Sequence, residues 1–380
     1  MRFEEAYTDW QDRRLTQAEA ARLLGVCERT FRRQIDRYEA DGLEGLIDKR
    51  LEQVSHRRAP VDEVVKLVDL YRRDYAGWNV QHFHSWYRRE HGGARSYTWV
   101  KNQLQQTGVV KRAKARGKHR KKRERAPLPG MLVHQDASRH EWIAGHDWDL
   151  VVTLDDATGE HLSMFFCQEE GTASSFHGVG QTVARHGLFC SLYTDRGSHY
   201  FHTPEAGGKV DRSNPTQFGR ALAQLGIERI AAYSPEARGR SERAFGTHQE
   251  RLPRELAKAG ITDMQQANAY LDQVYLARHN AEFAVPASEP GSAFVPYIGS
   301  GLADILCEHH ERTVGNDNCV SFETLKLQIP ADATRAHYVK RRVRVHRYVD
   351  GTLAVFYGPR LLARYDVRGV PLDVPVQLAA

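Results

Sequence analysis

No run of eighteen or more apolar residues interrupts this 380-residue chain, so the sequence offers no membrane span. Five cysteines, Cys27, Cys167, Cys190, Cys307 and Cys319, are scattered with no C-x-x-C pair, which speaks against both a disulfide frame and a zinc site. The opening MRFEEAYTDW is acidic and aromatic, unlike a secretory leader, and a cytoplasmic location is expected. The chain is long enough for about two to four domains, and its 41% apolar content is enough for packed cores. The net charge of +6 and the pI near 9.0 are modest, but the positive charge is unevenly spread.

Three short strings each present a carboxylate in a different local setting: HQDASRHEW around Asp136, LYTDRGSHY around Asp195 and YSPEARGRSERAF around Glu242. Asp136 closes the apolar run MLVHQD and Asp195 follows LFCSLYT, so both read as ends of buried strands, while Glu242 lies one turn into a helix opened by Ser234-Pro235. Hard oxygen ligands on rigid elements suit Mg²⁺, which is normally completed by water and substrate phosphates. That combination in a basic chain points to metal-dependent chemistry on nucleic acid.

Across residues 130–285, the strings TLDDATGEHLSMFF, GTASSFHGV, YTDRGSHYFHTPEAGGKVDRSNPTQFGRALAQLGI and SPEARGRSERAFGTHQERLP carry a resemblance. The chain resembles the DDE transposase and retroviral integrase superfamily, and within it the bacterial insertion-sequence group called ISNCY. The resemblance implies an α/β RNase H-like catalytic core with Asp136, Asp195 and Glu242 as catalytic and metal-holding residues, because they alone match its Asp, Thr-Asp-x-Gly and Ser-Pro-x(3)-Gly-x(2)-Glu elements. It also implies two Mg²⁺ ions per site, with Mn²⁺ as a substitute. The partners implied are double-stranded DNA, both terminal inverted repeats and target, with a homo-oligomer on the DNA, no membrane, and a bacterial, nucleoid-associated location. The expected activity is 3′-end cleavage and strand transfer; the alternatives are a catalytically silent regulator or scaffold, and a nuclease without the joining step. Two departures stand out. The Asp195–Glu242 spacing exceeds that of retroviral integrases, which fits an inserted loop at residues 202–215, and the integrase His-His-Cys-Cys zinc module is missing. No tyrosine is surrounded by the Arg/His set of a tyrosine recombinase.

Other polar residues near these strings have plainer readings. Asp155 and Asp156 precede a Gly turn between strands and suit an Asx-type hairpin. His134 shares a strand face with Asp136 by period-two spacing and reads as packed. His199 and His202 flank the expected metal edge, yet histidine is a poor Mg²⁺ ligand. Arg238, Arg240, Arg243 and His248 surround Glu242 and are read as DNA contacts near the cleaved phosphate.

The rest of the chain divides around this core. In LTQAEAARLLGVCERTFRRQIDRYEADG, Ala20, Ala21, Leu24, Val26, Phe31 and Ile35 give a helix, a Gly25 turn and a second helix, with Arg29, Arg32 and Arg33 on its outer face as DNA contacts. A second helix-turn-helix-like unit spans 57–110, with Ser96 as an N-cap and Lys101 as a DNA contact. Residues 111–125 hold ten Lys or Arg against one acid, so a solvated arm that neutralises phosphates is expected, with Lys111, Arg112, Lys118, Arg120, Lys121, Lys122 and Arg123 among its contacts. Beyond Gly301, period-two patterns and Asp350-Gly351 predict a small C-terminal β-barrel with a basic edge at Lys340, Arg341, Arg342, Arg344 and Arg347. The expected multidomain order is a helix-turn-helix domain at 1–56, the second helical unit at 57–110, a basic linker at 111–126, the core at 127–300 and the β-rich domain at 301–380.

Overall fold

The computed structural model describes residues 2–48, 59–112, 124–205, 208–211, 213–233, 235–331 and 335–372, with the side chains of 235–238 outside that description. The chain falls into two compact units, one of residues 1–74 and 102–110, the other of residues 75–101 and 111–380.

The first unit begins with α1 (Phe3–Gln11), α2 (Gln17–Leu23) and α3 (Glu28–Asp41), a 3-10 turn at Gly42–Leu46, and α4 (Val61–Asp74). Thr16 caps α2: its hydroxyl accepts from the Glu19 N–H at 3.3 Å, and the Glu19 carboxylate accepts the Thr16 N–H at 2.8 Å. Gly25, at φ 69°, makes the left-handed reversal into α3 that a side chain would resist. Ala20 and Ala21 then pack with Phe31 and Ile35, so the predicted helix-turn-helix core is the observed one. Small alanines let the two helices approach closely, and Phe3, Tyr7 and Trp10 of α1 close the cluster.

Of the next helices, α5 (Val80–Glu90) belongs to the second unit and α6 (Tyr97–Gln106) contributes residues to both. The expected Ser96 cap is present, its Oγ accepting the Trp99 N–H at 3.3 Å. Val100 is fully buried, whereas Tyr97 and Lys101 are half-buried and stack as a cation–π pair.

The second unit is built on β1 (Leu132–Ile143), β2 (His146–Asp155), β3 (His161–Cys167), α7 (Thr172–His186), β4 (Ser191–Thr194), α8 (Gln217–Gln224), β5 (Glu228–Ala231) and α9 (Pro235–Lys258). The elements follow the order β-β-β-α-β-α-β-α, an α/β core as the resemblance implied. The sheet order is β3-β2-β1-β4-β5, with an antiparallel meander on one side and parallel β4 and β5 on the other. One face, with Val133 and Leu192, is covered by Phe176, Val179 and Val183 of α7 and by Phe218, Ala221 and Leu222 of α8. The other, with Trp148, Val152 and Met164, is covered by Phe245, Leu252 and Leu256 of α9, by Ala267 of α10 (Met264–Tyr270), and by a π-turn at Leu271–Tyr275 that leads into α11 (Leu276–Phe283). Helix α9 starts at Pro235, as the Ser234-Pro235 opening suggested, and proline's missing N–H costs nothing in the first turn. Helix α5 docks on α9 through a buried pair, His82 Nε2 to Glu255 Oε1 at 2.8 Å.

After α12 (Leu302–Ile305) come β6 (Glu308–Thr313), β7 (Cys319–Phe322), β8 (Leu325–Gln328), β9 (Arg342–Arg347), β10 (Leu353–Tyr357), β11 (Arg360–Tyr365) and β12 (Pro371–Leu372). Asp350-Gly351 does turn β9 into β10: Gly351 has φ 82° and the Asp350 carboxylate accepts the Thr352 N–H at 2.9 Å. The expected barrel, however, is not closed among the described residues. The strands form an open sheet of order β12-β11-β10-β9-β6 and a separate β7-β8 hairpin. No pairing joins β6 to β12, so the pattern of short strands was right and their closure was not.

Candidate active site

The site is set by register. Strands β1 and β4 are parallel neighbours that pair Leu132 with Ser191, Val133 with Leu192 and His134 with Tyr193. Asp136 and Asp195 each lie two residues beyond the last pair, Asp136 within β1 and Asp195 just past the end of β4 at Thr194. Asp136 shares a strand face with His134, whose ring is 5.1 Å from that of Tyr193. On the other side Asp136 pairs with Val152, which belongs to the core beneath α9, so this is the α9 face.

One expectation needs correcting here. Asp136 does not end its strand, because β1 runs on to Ile143. It is β4 that ends, at Thr194, so β1 loses its parallel neighbour at the level of Asp136. The neighbouring strand's termination, and not its own, opens space beside this carboxylate.

Asp195 turns the chain sharply. Its Oδ1 accepts the Gly197 N–H at 2.8 Å, an Asx turn. A Cβ on Gly197 would come within 3.1 Å of that same oxygen and 3.0 Å of the His199 ring, which explains the glycine in T-D-R-G. Asp136 is buried, and its Oδ1 accepts the Ala137 N–H at 3.1 Å.

Glu242 is carried over the same face by α9. Ser241, Phe245, His248 and Leu252 form the buried stripe that seats the helix, and Glu242 lies at its exposed edge. Two contacts bracket its position. Downstream, Gln249 Nε2 donates to Ser138 Oγ at 3.0 Å, and Ser138 is the next residue on the Asp136 face. Upstream, Arg240 pairs with Asp156, which also takes His134 Nε2 at 2.7 Å, and His134 is the previous residue on that face. Asp136 lies between His134 and Ser138, and Glu242 between Arg240 and Gln249. The helix and strand therefore run alongside one another, with Glu242 at the exposed edge of α9 between the two ties. Glu242 and Gln249 share a helix face two turns apart, about 10.5 Å along the axis.

The acidic neighbours are structural, as their sequence setting suggested. Asp155 accepts N–H groups of Gly130 and Thr158, at 2.8 and 2.9 Å. Asp156, 1% exposed, accepts the Ala126 N–H at 2.7 Å in addition to His134 and Arg240. The Asp156 tie between β1, the end of β2 and α9 was not foreseen: its partners are 22 and 84 residues away in the chain. His199 lies 3.6 Å from Glu170, and His202 bridges to Asp211.

The basic candidates separate into groups. Arg29, Arg32 and Arg33 are exposed on α3, as are Arg243 on α9, Lys111 and Arg112. Arg240 is half-buried and engaged with Asp156 and with the Glu124 carbonyl. His248, grouped with them by sequence, is fully buried, and burial holds its imidazole well below its ordinary pKa; it faces His161 and Tyr275 and is no DNA contact. In the C-terminal sheet Arg341 is exposed, while Arg342 pairs with Glu311 and Arg347 with Glu308 and Glu323, so β6 neutralises part of the basic edge. Lys118, Arg120, Lys121, Lys122 and Arg123, and the side chain of Arg238, lie outside the described residues.

The chain is 30% identical over 348 residues to the putative transposase y4bF of Sinorhizobium fredii, covering 90% of this chain and 76% of that protein. It is 29% identical over 233 residues to the transposase for insertion sequence IS1202 of Streptococcus pneumoniae, covering 61% of this chain but only 50% of that one. A winged helix-turn helix family model matches residues 9–60. Among solved structures, a chain of the simian T-cell lymphotropic virus intasome in complex with PP2A regulatory subunit B56 gamma aligns at TM-score 0.35 and 16% identity, over 76% of this chain and 91% of that chain. That last likeness is too loose to carry function.

Proposed function

The chain belongs to the family of the Sinorhizobium fredii transposase, and from that membership we propose that it binds the terminal inverted repeats of an insertion sequence, cleaves their 3′-ends and transfers them into target DNA at Asp136, Asp195 and Glu242. The observation that supports the catalytic assignment most is the β1–β4 register, which sets Asp136 and Asp195 each two residues past one pair, with Glu242 on the helix tied along β1.

The donor set fits the expected metal. Three carboxylates are hard oxygen ligands, suited to Mg²⁺ with Mn²⁺ as a substitute, and none of the nearby histidines is needed. When bound, two such ions would supply an activated water or 3′-hydroxyl and stabilise the leaving oxygen of the phosphodiester. The protein's own part is placement. Asp136 and Asp195 are held by strand register and by backbone N–H bonds to one oxygen of each. Glu242 is held by the two ties that pin α9 along β1. Rigid elements of this kind fix ligand geometry better than loops do.

DNA would be gathered by the exposed arginines of α3, by Lys101, Lys111, Arg112 and the rest of the basic arm, and by Arg243 on the helix that bears Glu242. Arg341 and its neighbours on the C-terminal sheet would add sequence-independent contact. Two ends are brought together in a homo-oligomer on the DNA.

The test is an end-joining assay with duplexes from the gene's flanks, a supercoiled target and Mg²⁺ or Mn²⁺, with Asp195→Asn as control. Metal-dependent covalent joining that disappears in the variant is the expected result. Joining retained by Asp195→Asn would sink the catalytic assignment, and cleavage without covalent attachment would reduce the protein to a nuclease.

A further inference from the structure

The core sheet ends at β3, whose outer side has no neighbouring strand among the described residues. An edge of this kind presents a row of backbone N–H and C=O groups on which a strand of another chain can build. Here two asparagines occupy it. Asn280 Oδ1 accepts the His161 N–H at 2.8 Å, while its Nδ2 donates to the His161 carbonyl, also at 2.8 Å. The Asn268 side chain does the same at Phe166, accepting the N–H at 2.6 Å and donating to the carbonyl at 3.0 Å. A side-chain amide carries the same donor and acceptor as a backbone peptide group, so each asparagine fills the place of one paired residue in a further strand.

We propose that Asn268 and Asn280 close the core sheet in place of a sixth strand, and so keep the β3 edge of a second copy of this chain from adding to it.

Two irregularities, one in the strand and one in the helices, make the closure possible. His161 and Phe166 are five residues apart (166 − 161), and in a regular strand an odd separation turns their backbone groups to opposite edges. Strand β3 is not regular: Thr153 pairs with Ser163 but Leu154 pairs with His161, so Leu162 is an extra residue. That bulge shifts the alternation and turns both peptide groups outward.

The helical side carries a matching insertion. Asn268 of α10 and Asn280 of α11 are twelve residues apart (280 − 268), which in an unbroken α-helix would leave them about 120° apart around the axis. The π-turn at Leu271–Tyr275 takes up one extra residue and brings that offset to about 20°. The buried stripe of Ala267, Leu271, Tyr275 and His279 shows the same correction, repeating every four residues where an α-helix would drift off the sheet. With the extra residue taken up, eleven helical steps span about 16 Å, as do five strand steps. The spacing of the two amides therefore matches that of the two peptide groups they hold.

The experiment uses the full chain without DNA. Residue-resolved hydrogen exchange follows the amides of His161 and Phe166, and light scattering follows mass against concentration. Asn280→Ala should speed exchange at His161 roughly tenfold or more and leave Phe166 protected, and Asn268→Ala should do the reverse. Gln266→Ala, an exposed change on α10, should alter neither amide. The double variant Asn268→Ala/Asn280→Ala should gain mass over the unaltered chain as concentration rises, because the opened edge can pair with its own copy. Unchanged exchange at both amides in the double variant, or mass that follows the unaltered chain at every concentration, overturns the proposal. Faster exchange spread evenly over β1, β2 and β3 marks a loosened fold in place of an opened edge and overturns it too. Should the double variant fail to fold, the single variants decide, since each frees one amide and spares the other. None of these readouts depends on DNA joining.

Discussion

Asp136 and Asp195 each lie two residues past the His134–Tyr193 pair of parallel strands, Asp136 inside β1 and Asp195 one residue beyond the end of β4. Substituting either by Asn keeps size and removes the charge. We expect strand cleavage and joining to fall on the order of a thousandfold, about 4 kcal/mol of barrier, while binding of DNA ends is kept. Gel-based joining and mobility-shift assays on the same preparation check both halves.

Asp156 acts one step away, by tying His134 and Arg240 together. Asp156→Asn leaves Arg240 without its carboxylate partner in a mostly buried setting and should cost about 3 kcal/mol of stability. Because the tie positions α9, joining should also fall at temperatures where the variant is fully folded. Thermal unfolding alongside joining rates separates the two effects.

Gly178 brings α7 close to the sheet. A Cβ there would sit 2.8 Å from Gln135 Oε1 and 3.1 Å from Thr153 Oγ1, both buried. Gly178→Val should destabilise by about 1–3 kcal/mol, measured by denaturant midpoint, because neither neighbour has room to withdraw.

Acid should weaken the core through three buried histidines. Burial lowers His161 to about 4 and His279 to about 2, and holds His248 well below the ordinary value of 6.5. These rings face one another from β3, α9 and α11, with Tyr275 and Arg251 alongside. A depressed histidine pKa means the native state binds fewer protons than the unfolded chain. Stability is therefore full above about 6.5 and declines as pH falls below it. The melting temperature should drop between pH 7 and pH 5, and a variant with His248→Gln should show a shallower drop.

On α3, Arg29, Arg32 and Arg33 are exposed, and they are the proposed DNA contacts of this helix. Replacing Arg32 and Arg33 by Ala should weaken end binding and lower the slope of log K against log salt by about 0.9 for each phosphate that is no longer neutralised. Titrations at three salt concentrations measure it; an unchanged slope would remove these residues from the interface.

Much of the molecule was legible in the sequence because its signals are local. Hydrophobic period marked β1, β2 and β3, Ala20, Ala21, Gly25, Phe31 and Ile35 marked the first helix-turn-helix, and Asp350-Gly351 marked a hairpin. Strand β6, EHHERT, carried no such alternation and went unread; its place comes from pairing with β9. The open C-terminal sheet went unread for a related reason, since closure depends on how strand ends meet.

The sequence by itself determined which residues could form helices, strands and turns, and which three carboxylates stood in the right local settings. Tertiary structure alone decided that β4 stops level with Asp136, that Asp156 belongs to α9's anchorage, and that Asn268 and Asn280 meet one strand edge. Periodicity and capping act within one element, over a few residues. Register and partner choice are settled by packing between elements far apart in the chain, where no local pattern records them.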